Sequence, residues 1–527
     1  MLIDTIIRAP LYSRSTGYLA DGACAVAEGI IVAVGAAAHI VPLASATTRM
    51  VRYADDQLLL PGFVDSHQHF LSYVRSRESR LSLWQVVSFA QLRDTLQLAA
   101  DRGDGTHWVI GVGYDQGRLH EQRHPTLAEL DTMLPDIPAV IIRACSHIAL
   151  VNSAALARAG VTATTADPVG GRIGRDADGA LTGILEESAM QLVMRHATPA
   201  PVDWQGGIVR AAREYHARGI TAIGEAAIGH IQGVTDLTLM QTAQAEGRLP
   251  LRVHYMGYGA VAEAWLQGEA LVPTTAWQRA AYIKYFIDGT LGGGSAWVSQ
   301  GYRDEVHNTG FPLYEDTALY DAIASAHQRG YDVAIHAIGD RAVDQALRMY
   351  AQVLTAYPRA THRHRLEHVE STRPELWPLF GAYGIIAGVQ PVFMWFEESD
   401  ISRLPDPLLP YAHPWASIVR HGGRIALGSD NPVVPDFAPV LGIAAATTRQ
   451  NYHGQTFGVH EALAWQVAVD AYTADAAYAL HAEQEYGDLR IGLNADFVVL
   501  DGGHPALPWH TRAVQATWVA GVCVYQP

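Results

Sequence analysis

One alternation dominates the chain from about residue 205 onward: a short apolar stretch typical of a β-strand is followed by a stretch with helical periodicity. Apolar residues recur at three- or four-residue spacing over residues 319–327 and 343–354, where Asp340 stands in place to cap the second helix. The stretch before His67 adds an eighth strand to seven others, which span residues 220–224, 251–255, 282–287, 331–336, 365–369, 385–389 and 425–428. Alternating strands and helices indicate an α/β fold with parallel strands, and eight units predict a (β/α)8, TIM-like barrel.

Two parts of the chain depart from this alternation. Residues from about 70 to 205 are too many for one loop, so we expect a large insertion after strand 1, placed over the barrel mouth. Both ends of the chain are β-branched and punctuated by glycine, which predicts a small β-sandwich module built from the two termini. The expected bounds are 1–57 and 485–527 for the two parts of the small β domain, and 58–484 for the barrel with its insertion.

The composition argues against several classes of protein. The formal net charge of the 527 residues is −16 and no basic patch stands out, so nucleic acid is not an expected partner. No apolar stretch approaches the roughly 20 residues that span a bilayer, and the N-terminus lacks a signal-peptide run, which predicts a cytoplasmic protein. Cys24, Cys145 and Cys523 give no disulfide framework. The composition fits a soluble enzyme of small, neutral or weakly charged molecules, although many other soluble proteins share it.

The segment 61–70 (PGFVDSHQHF) carries a metal-ligand pattern. His67 and His69 lie two residues apart, and in a strand such residues point to the same side. Two imidazoles so placed make half of a metal site. Because the chain has 24 histidines, a lone His-x-His pair is weak support, and its meaning depends on residues further along.

Further candidate ligands stand at or near the ends of later predicted strands. They are Lys284, His336, His368 and Asp430. The carboxyl ends of all strands of such a barrel meet on one rim, where its active site lies. Residues that are far apart in the sequence can therefore meet in one site.

These motifs resemble those of the amidohydrolase superfamily, specifically its amidohydrolase-3-type branch, which includes N-substituted formamide deformylases. The resemblance covers nearly the whole chain. Within the barrel and at the C-terminal end, the matching text lies in residues 61–69, 284–290, 336–342, 367–368, 390–391, 428–433, 472–473 and 492–496. Within the insertion it lies in residues 130–131, 152–156, 170–171 and 182–183.

The resemblance implies a ligand set for one or two divalent ions. It implies that His67, His69 and Asp430 bind a first ion. It implies that His336 and His368 bind a second ion, which would make the centre binuclear. Imidazoles with a hard carboxylate and no thiolate suit zinc, our first choice, or manganese or iron.

Lys284 is the unusual member of this set. An ammonium group beside two divalent ions would be strongly repelled. The resemblance implies that Lys284 is N6-carboxylated by carbon dioxide, which turns it into an anionic oxygen ligand that can bridge the two ions.

The implied chemistry is hydrolysis by a metal-activated hydroxide. A divalent ion brings the pKa of bound water near neutrality and polarises a carbonyl, while Asp430 acts as general base and then as general acid toward the leaving nitrogen. His147, in the insertion, is a second catalytic candidate that would polarise the carbonyl, although a packed or solvated histidine explains it equally well.

The expected enzyme is a metal-dependent amidohydrolase (EC 3.5 type) that cleaves a non-peptide carbon–nitrogen bond, with N-formyl or N-acyl amines favoured. The expected partner is a small-molecule substrate, with a homodimer as one assembly state. Two alternatives stay open: hydrolysis of a cyclic amide, ester, lactone or carbamate at the same site, or a non-catalytic metal-binding barrel.

Several other side chains are candidates to line the substrate pocket, although turns and packing within loops explain them as well. They are Tyr114, Asp115, Trp297, Phe393, Trp395 and Phe396. The tract 362–365 (HRHR) is interpreted as the solvated start of a strand and not as a metal site.

Overall fold

The structure is a computed structural model that describes residues 2–102, 108–144, 147–168, 170–197, 202–269, 272–396 and 400–527. Cys145 lies outside the described residues. None of the helices in these ranges combines the length and apolarity needed to cross a membrane.

Eight parallel strands form a nearly closed barrel. They are β6 (Phe63–Gln68), β13 (Ile220–Ile228), β14 (Arg252–Gly257), β15 (Gln278–Phe286), β16 (Asp332–Ala337), β17 (Arg365–His368), β18 (Ile386–Val389) and β19 (Arg424–Leu427). At the carboxyl ends of the first and last strands, the backbone N–H of Asp430 donates to the carbonyl of His67 at 2.8 Å. Gly428 permits this approach, because a Cβ there would lie 2.7 Å from the backbone nitrogen of His67. The predicted α/β barrel is confirmed.

Two strands follow each other in the segment that leads to His67. The apolar run 58–60 belongs to β5 (Gln57–Pro61), which pairs antiparallel with β20 (Phe497–Asp501) outside the barrel. The first barrel strand starts only at Phe63, after Gly62 has donated its N–H to the carbonyl of Asp496 at 2.9 Å. Residues 58–60 are as buried as the first barrel strand, so burial alone could not assign the run to one sheet or the other.

Helices accompany the barrel strands, and the largest apolar cluster packs between the two layers. They are α2 (Phe70–Ser79), α7 (Trp204–His216), α8 (Val234–Ala245), α9 (Ala260–Leu266), α10 (Asp316–Gln328), α11 (Asp340–Ala356), α12 (Trp377–Tyr383), α13 (Pro391–Phe396), α14 (Trp415–Arg420), α15 (Pro439–Thr448), α16 (Trp465–Ala471) and α17 (Ala474–Ala479). Asp340 starts α11 but does not cap it. Its carboxylate instead accepts the backbone N–H of Ser299 at 2.8 Å, and Gly339 is the cap residue.

Between β6 and β13 the chain forms a six-stranded sheet. Its strands are β7 (Leu81–Ser82), β8 (Val109–Tyr114), β9 (Ala139–Arg143), β10 (Ile148–Val151), β11 (Gly171–Arg175) and β12 (Leu181–Glu187). The helices of this segment are α3 (Phe89–Arg102), α4 (Leu127–Met133), α5 (Ser153–Ala159) and α6 (Gln191–Met194). The sheet buries apolar clusters of its own, so we call this segment the insertion sheet.

Strands from both ends of the chain hydrogen-bond into one eight-stranded sheet. They are β1 (Thr5–Ser13), β2 (Gly17–Ala27), β3 (Ile30–Ala36), β4 (Arg49–Arg52), β5, β20, β21 (Val514–Val519) and β22 (Val522–Tyr525), with the short helix α1 (Ala37–Ile40) after β3. A buried ion pair between Arg252 of β14 and Asp496, at 2.6 Å, ties this sheet to the barrel. A sandwich of two packed sheets, and the domain bounds, stay predictions.

Candidate metal centre and active-site cavity

The six predicted ligand residues all lie toward the carboxyl ends of barrel strands, on β6, β15, β16 and β17 or just after β6 and β19. A cavity of about 690 Å³ opens at this rim. Its lining includes His69, His336, His368, Asp430 and, from the insertion sheet, His147. The remaining two, His67 and Lys284, are 0% and 1% exposed.

The tightest group of donor atoms comes from three of these residues. Donor atoms of His67, His368 and Asp430 lie within 4.8 Å of one another. The Oδ1 atom of Asp430 is 3.4 Å from Nε2 of His67 and 3.1 Å from Nε2 of His69. The group therefore combines residues from the ends of the first, sixth and eighth barrel strands.

Three buried polar atoms at this rim form no hydrogen bond among the described residues: His67 Nε2, Asp430 Oδ1 and Lys284 Nζ. The histidine nitrogens beside Asp430 Oδ1 are close to it but lack hydrogen-bond geometry. An unsatisfied buried polar group typically costs about 1–3 kcal/mol, so each calls for an explanation. Imidazole nitrogen and carboxylate oxygen are donors that zinc and similar ions prefer. A divalent cation therefore fits these residues.

Glu367 sets the orientation of His67. The Nδ1 atom of His67 lies 2.6 Å from Oε2 of Glu367, which indicates that Nδ1 carries the proton and that Nε2 presents its lone pair. Burial alone would raise the pKa of Glu367, but Arg365 and His67 together hold it below its usual value. Gly388 on the next strand leaves room for this carboxylate, because a Cβ there would lie 2.2 Å from Oε2.

His336 and His368 are held in their neutral forms. Burial lowers the pKa of His368 to about 3 and that of His336 well below its usual value. The Nδ1 atom of His368 contacts Oε1 of Gln390 at 2.9 Å, and Nε2 of His336 contacts the carbonyl of Gly289 at 3.1 Å. Neutral imidazoles are the form that binds metal ions.

Backbone strain concentrates at the same place. His368, Val369 and Asp430 have φ values of 75°, 50° and 55°, in a region that residues other than glycine rarely adopt. Such conformations cost of order 1–3 kcal/mol each and persist where the surroundings enforce them. Here the N–H of Val369 donates to the carbonyl of Ala337 at 3.1 Å. These backbone conformations occur where His368, at the end of strand 6, and Asp430, just after strand 8, contribute donor atoms to the candidate metal site.

Burial lowers the pKa of Lys284 to about 8, although Glu367 and Asp430 act in the opposite sense. Its Nζ lies 4.7 Å from the ring centre of Phe286. A lowered pKa makes the neutral amine accessible near neutral pH, and the neutral amine is the form that reacts with carbon dioxide. Carboxylation of Lys284 stays a prediction.

The sequence profile described as the amidohydrolase family matches residues 53–525. The chain belongs to the amidohydrolase family. YtcJ of Bacillus subtilis (strain 168) is 30% identical over 486 residues, which are 89% of this chain and 89% of YtcJ. The N-substituted formamide deformylase of Arthrobacter pascens is 26% identical over 465 residues, covering 84% of this chain and 83% of the relative.

A solved structure shares the fold of this amidohydrolase. An uncharacterized metal-dependent hydrolase from Pyrococcus horikoshii OT3 superposes with a TM-score of 0.74 and 23% identity, over 96% of this chain and 99% of the other. These similarities confirm the predicted family, and with it a hydrolase on a barrel fold.

His147 enters the amidohydrolase cavity from the insertion sheet. Its Nδ1 atom lies 2.8 Å from Oε2 of Glu187, at the end of β12. Burial alone would lower the pKa of His147, but Glu187 together with Asp430 raises it above its usual value. The side-chain hydroxyl of Ser295 also donates to Glu187. Sequence analysis missed Glu187, since no local signal marks a carboxylate 40 residues away as the partner of this histidine.

The predicted pocket residues divide into two sets. Asp115, Phe393 and Phe396 line the cavity, and Asp115 also accepts the backbone N–H of Gly117 at 2.9 Å in a turn. The described lining does not include Tyr114, Trp297 or Trp395.

A second group of potential ligands lies at the opposite ends of strands β16 and β17. Donor atoms of Asp332, His362 and His364 lie within 4.8 Å of one another. Both ring nitrogens of His364 are already engaged, because Nδ1 accepts a backbone N–H at 3.0 Å and Nε2 contacts Nδ1 of His327 at 2.9 Å. The group is satisfied within the protein. The interpretation of residues 362–365 as solvated is wrong for His364 and Arg365, which are fully buried.

Proposed function

We propose that this amidohydrolase is a metal-dependent enzyme that cleaves a non-peptide carbon–nitrogen amide bond, with N-formyl or N-acyl amines as substrates. The observation that carries the proposal is the convergence of donor atoms from His67, His368 and Asp430 at the cavity. Buried polar atoms of His67, Asp430 and Lys284 form no hydrogen bond there among the described residues. The N-substituted formamide deformylase relative, at 26% identity, supports the choice of bond.

The proposed ligand set follows from this donor chemistry. We assign His67, His69 and Asp430 to a first divalent ion. His336 and His368 are assigned to a second ion, and zinc is the preferred metal, with manganese or iron as alternatives. Carboxylated Lys284 would bridge the two. When bound, such an ion polarises the amide carbonyl and lowers the pKa of a coordinated water molecule.

The chain's own residues then move the proton. Burial would raise the pKa of Asp430, but His67 and His69 lower it well below its usual value, so the carboxylate is ionised and ready to accept. Asp430 takes a proton from the attacking water and delivers it to the leaving nitrogen. Water thereby adds across the bond: hydroxyl goes to the acyl carbon and hydrogen to the amine.

His147 has the second chemical role in this proposal. Burial would lower the pKa of His147, but Glu187 raises it above its usual value, which favours the protonated ring. A protonated imidazole can donate a hydrogen bond to the carbonyl oxygen as negative charge develops there. Phe393 and Phe396 provide an apolar wall for the organic part of the substrate.

The test uses protein supplied with zinc or manganese and matched amide and ester substrates that share one acyl group. His67→Ala and Asp430→Ala should abolish amide turnover while circular dichroism shows an unchanged fold. Asp406→Ala, at an aspartate with an 85% exposed side chain outside the cavity, is the control and should keep full activity.

Each other outcome has a distinct meaning. An active Asp430→Ala enzyme would overturn the proposed proton transfer. Turnover of the ester without the amide would overturn the choice of bond in favour of the ester alternative. Chelation should remove activity and zinc or manganese should restore it; a protein that binds no ion after supplementation would be a non-catalytic barrel.

A further inference from the structure

Two cationic side chains on the cavity wall lack a partner. Arg75 lies in α2, and Arg80 is the residue that follows this helix; both line the cavity. Within the described part of the chain, neither guanidinium forms a hydrogen bond or an ion pair, and Nε of Arg75 is a buried donor without an acceptor. The pair is the anion-binding candidate that the proposed mechanism leaves unused.

Other arginines that line the cavity form hydrogen bonds within the protein. Arg118 donates to the carbonyl of Trp84, Arg143 contacts Oε1 of Gln116 at 2.9 Å, and Arg195 contacts Nε2 of His196 at 3.1 Å. The contrast matters because a partly buried guanidinium without a partner is costly, whereas a hydrogen-bonded arginine is common. The chain has a net charge of −16, yet none of the carboxylates that the structure describes forms an ion pair with Arg75 or Arg80.

The pKa shifts of Arg75 and Arg80 are consistent with their lack of acidic partners. Burial, together with the charge of Arg75, lowers the pKa of Arg80 to about 9. Burial also lowers the pKa of Arg75, which the more distant Asp236 only partly offsets. The carboxylate of Asp236 is engaged elsewhere, since it accepts the backbone N–H of Ile231 at 2.9 Å. The two arginines therefore present uncompensated positive charge to the cavity.

The pair also lies near the metal centre. α2 begins directly after His69. At the helical rise of 1.5 Å per residue, the backbone of Arg75 therefore lies about 9 Å from that of His69 along the helix axis. His230 lines the same wall, and its pKa is lowered first by burial and then by the charges of His69, Arg75 and Arg80. Arg75, Arg80 and the candidate metal ligand His69 therefore line one cavity together with His230.

We propose that Arg75 and Arg80 bind a carboxylate of the substrate, so that this enzyme hydrolyses N-formyl or N-acyl amines that carry a carboxylate group. The inference rests on the proposed amide hydrolysis and narrows its substrate class. Planar guanidinium groups match a carboxylate in charge and geometry. A monoanion suits the cavity better than a dianion, because Asp115, Glu187 and Asp400 also line it.

The closing experiment compares racemic N-formyl-phenylalanine with its neutral isostere, N-formyl-phenylalaninamide. The zinc-loaded wild type should favour the carboxylate by about 10- to 100-fold in kcat/KM, as expected for one or two charge-assisted hydrogen bonds. Arg75→Gln and Arg80→Gln should erase most of this preference, mainly by raising KM for the carboxylate. Arg77→Gln is the matched control and should change neither substrate, because Arg77 lies on the same helix but pairs with Glu214 at 2.8 Å outside the cavity.

The outcomes separate this inference from the proposed function. Equal turnover of both substrates, or variants that weaken both equally, would overturn the carboxylate site and leave amide hydrolysis standing. If neither substrate is hydrolysed, amide hydrolysis fails for this pair and calorimetric binding decides the anion site. In calorimetry, 3-phenylpropionate should bind more tightly than 3-phenylpropanol to the wild type and to Arg77→Gln. In Arg75→Gln and Arg80→Gln, the two compounds should bind with similar affinity. A carboxylate that binds at the metal centre instead would keep its affinity in all variants and overturn the inference.

Discussion

The contact between His67 and Glu367 offers a direct test of how the metal centre is built. Glu367→Gln keeps the size of the side chain but removes its charge. In the structure, Oε2 accepts from His67 Nδ1 at 2.6 Å and Oε1 accepts from Arg365 Nε at 2.7 Å. A carboxamide has only one oxygen for these donors, and its NH2 group would face another donor.

Two effects of different size follow from this change. Loss of an outer partner of a ligating histidine typically weakens metal affinity by about 10- to 100-fold, which corresponds to about 1.4–2.8 kcal/mol. Arg365, which is 0% exposed, would keep its charge without a carboxylate, and breaking a buried ion pair typically destabilises the fold by about 3–5 kcal/mol. We therefore expect weaker zinc binding together with a lower melting temperature.

Competition with a chromophoric zinc chelator measures the affinity on the folded protein, and calorimetry measures the stability. Glu461→Gln is the control, because Glu461 is a buried carboxylate bound to the backbone N–H of Ser417 at 2.8 Å and does not line the cavity. It should lose stability but keep the wild-type zinc affinity. Unchanged zinc affinity in folded Glu367→Gln would refute the reasoning that Glu367 orients a ligating His67.

Three further predictions concern stability and the lysine. Asp496→Ala leaves the buried guanidinium of Arg252 unpaired and should cost about 3–5 kcal/mol in calorimetry; an unchanged transition would show that the ion pair is not structural. Burial lowers the pKa of His364 to about 3 from 6.5, so the fold excludes the charged ring. This contribution to stability should be complete above about pH 6.5 and decline by about 1.4 kcal/mol per pH unit below it; His364→Asn should flatten the decline between pH 6.5 and 5, and an equal slope would contradict the assignment. Carboxylation of Lys284 predicts that zinc reloading of the chelated enzyme needs bicarbonate, and that Lys284→Ala holds fewer ions by metal analysis than a wild type reloaded in bicarbonate.

Much of the barrel was predictable because its signals are local. Consecutive residues encode an apolar strand followed by an amphipathic helix, and eight such units restrict the topology to few choices. Local signals do not assign residues 58–60, where two strands follow each other across Gly62. This apolar run would suit a barrel strand, and only its pairing with β20 shows that it lies outside the barrel.

The candidate site was predictable in its residue types but not in its connections. His67, His69, His336, His368 and Asp430 stand at strand ends that a parallel barrel must bring to one rim. The partner of His67 is Glu367, 300 residues away in the chain. That contact depends on the stagger of the barrel strands, which no local pattern records.

The sequence by itself determined the alternation of strands and helices and the family, and it supplied the candidate metal ligands at strand ends, because each motif consists of residues close together in the chain. Only the tertiary structure decided which charges are compensated. Arg77 and Arg75 look alike in the sequence, yet the first meets Glu214 and the second faces the cavity alone. Whether a charge finds a partner depends on distances across the fold, and these are set when the barrel closes and the insertion sheet packs beside it.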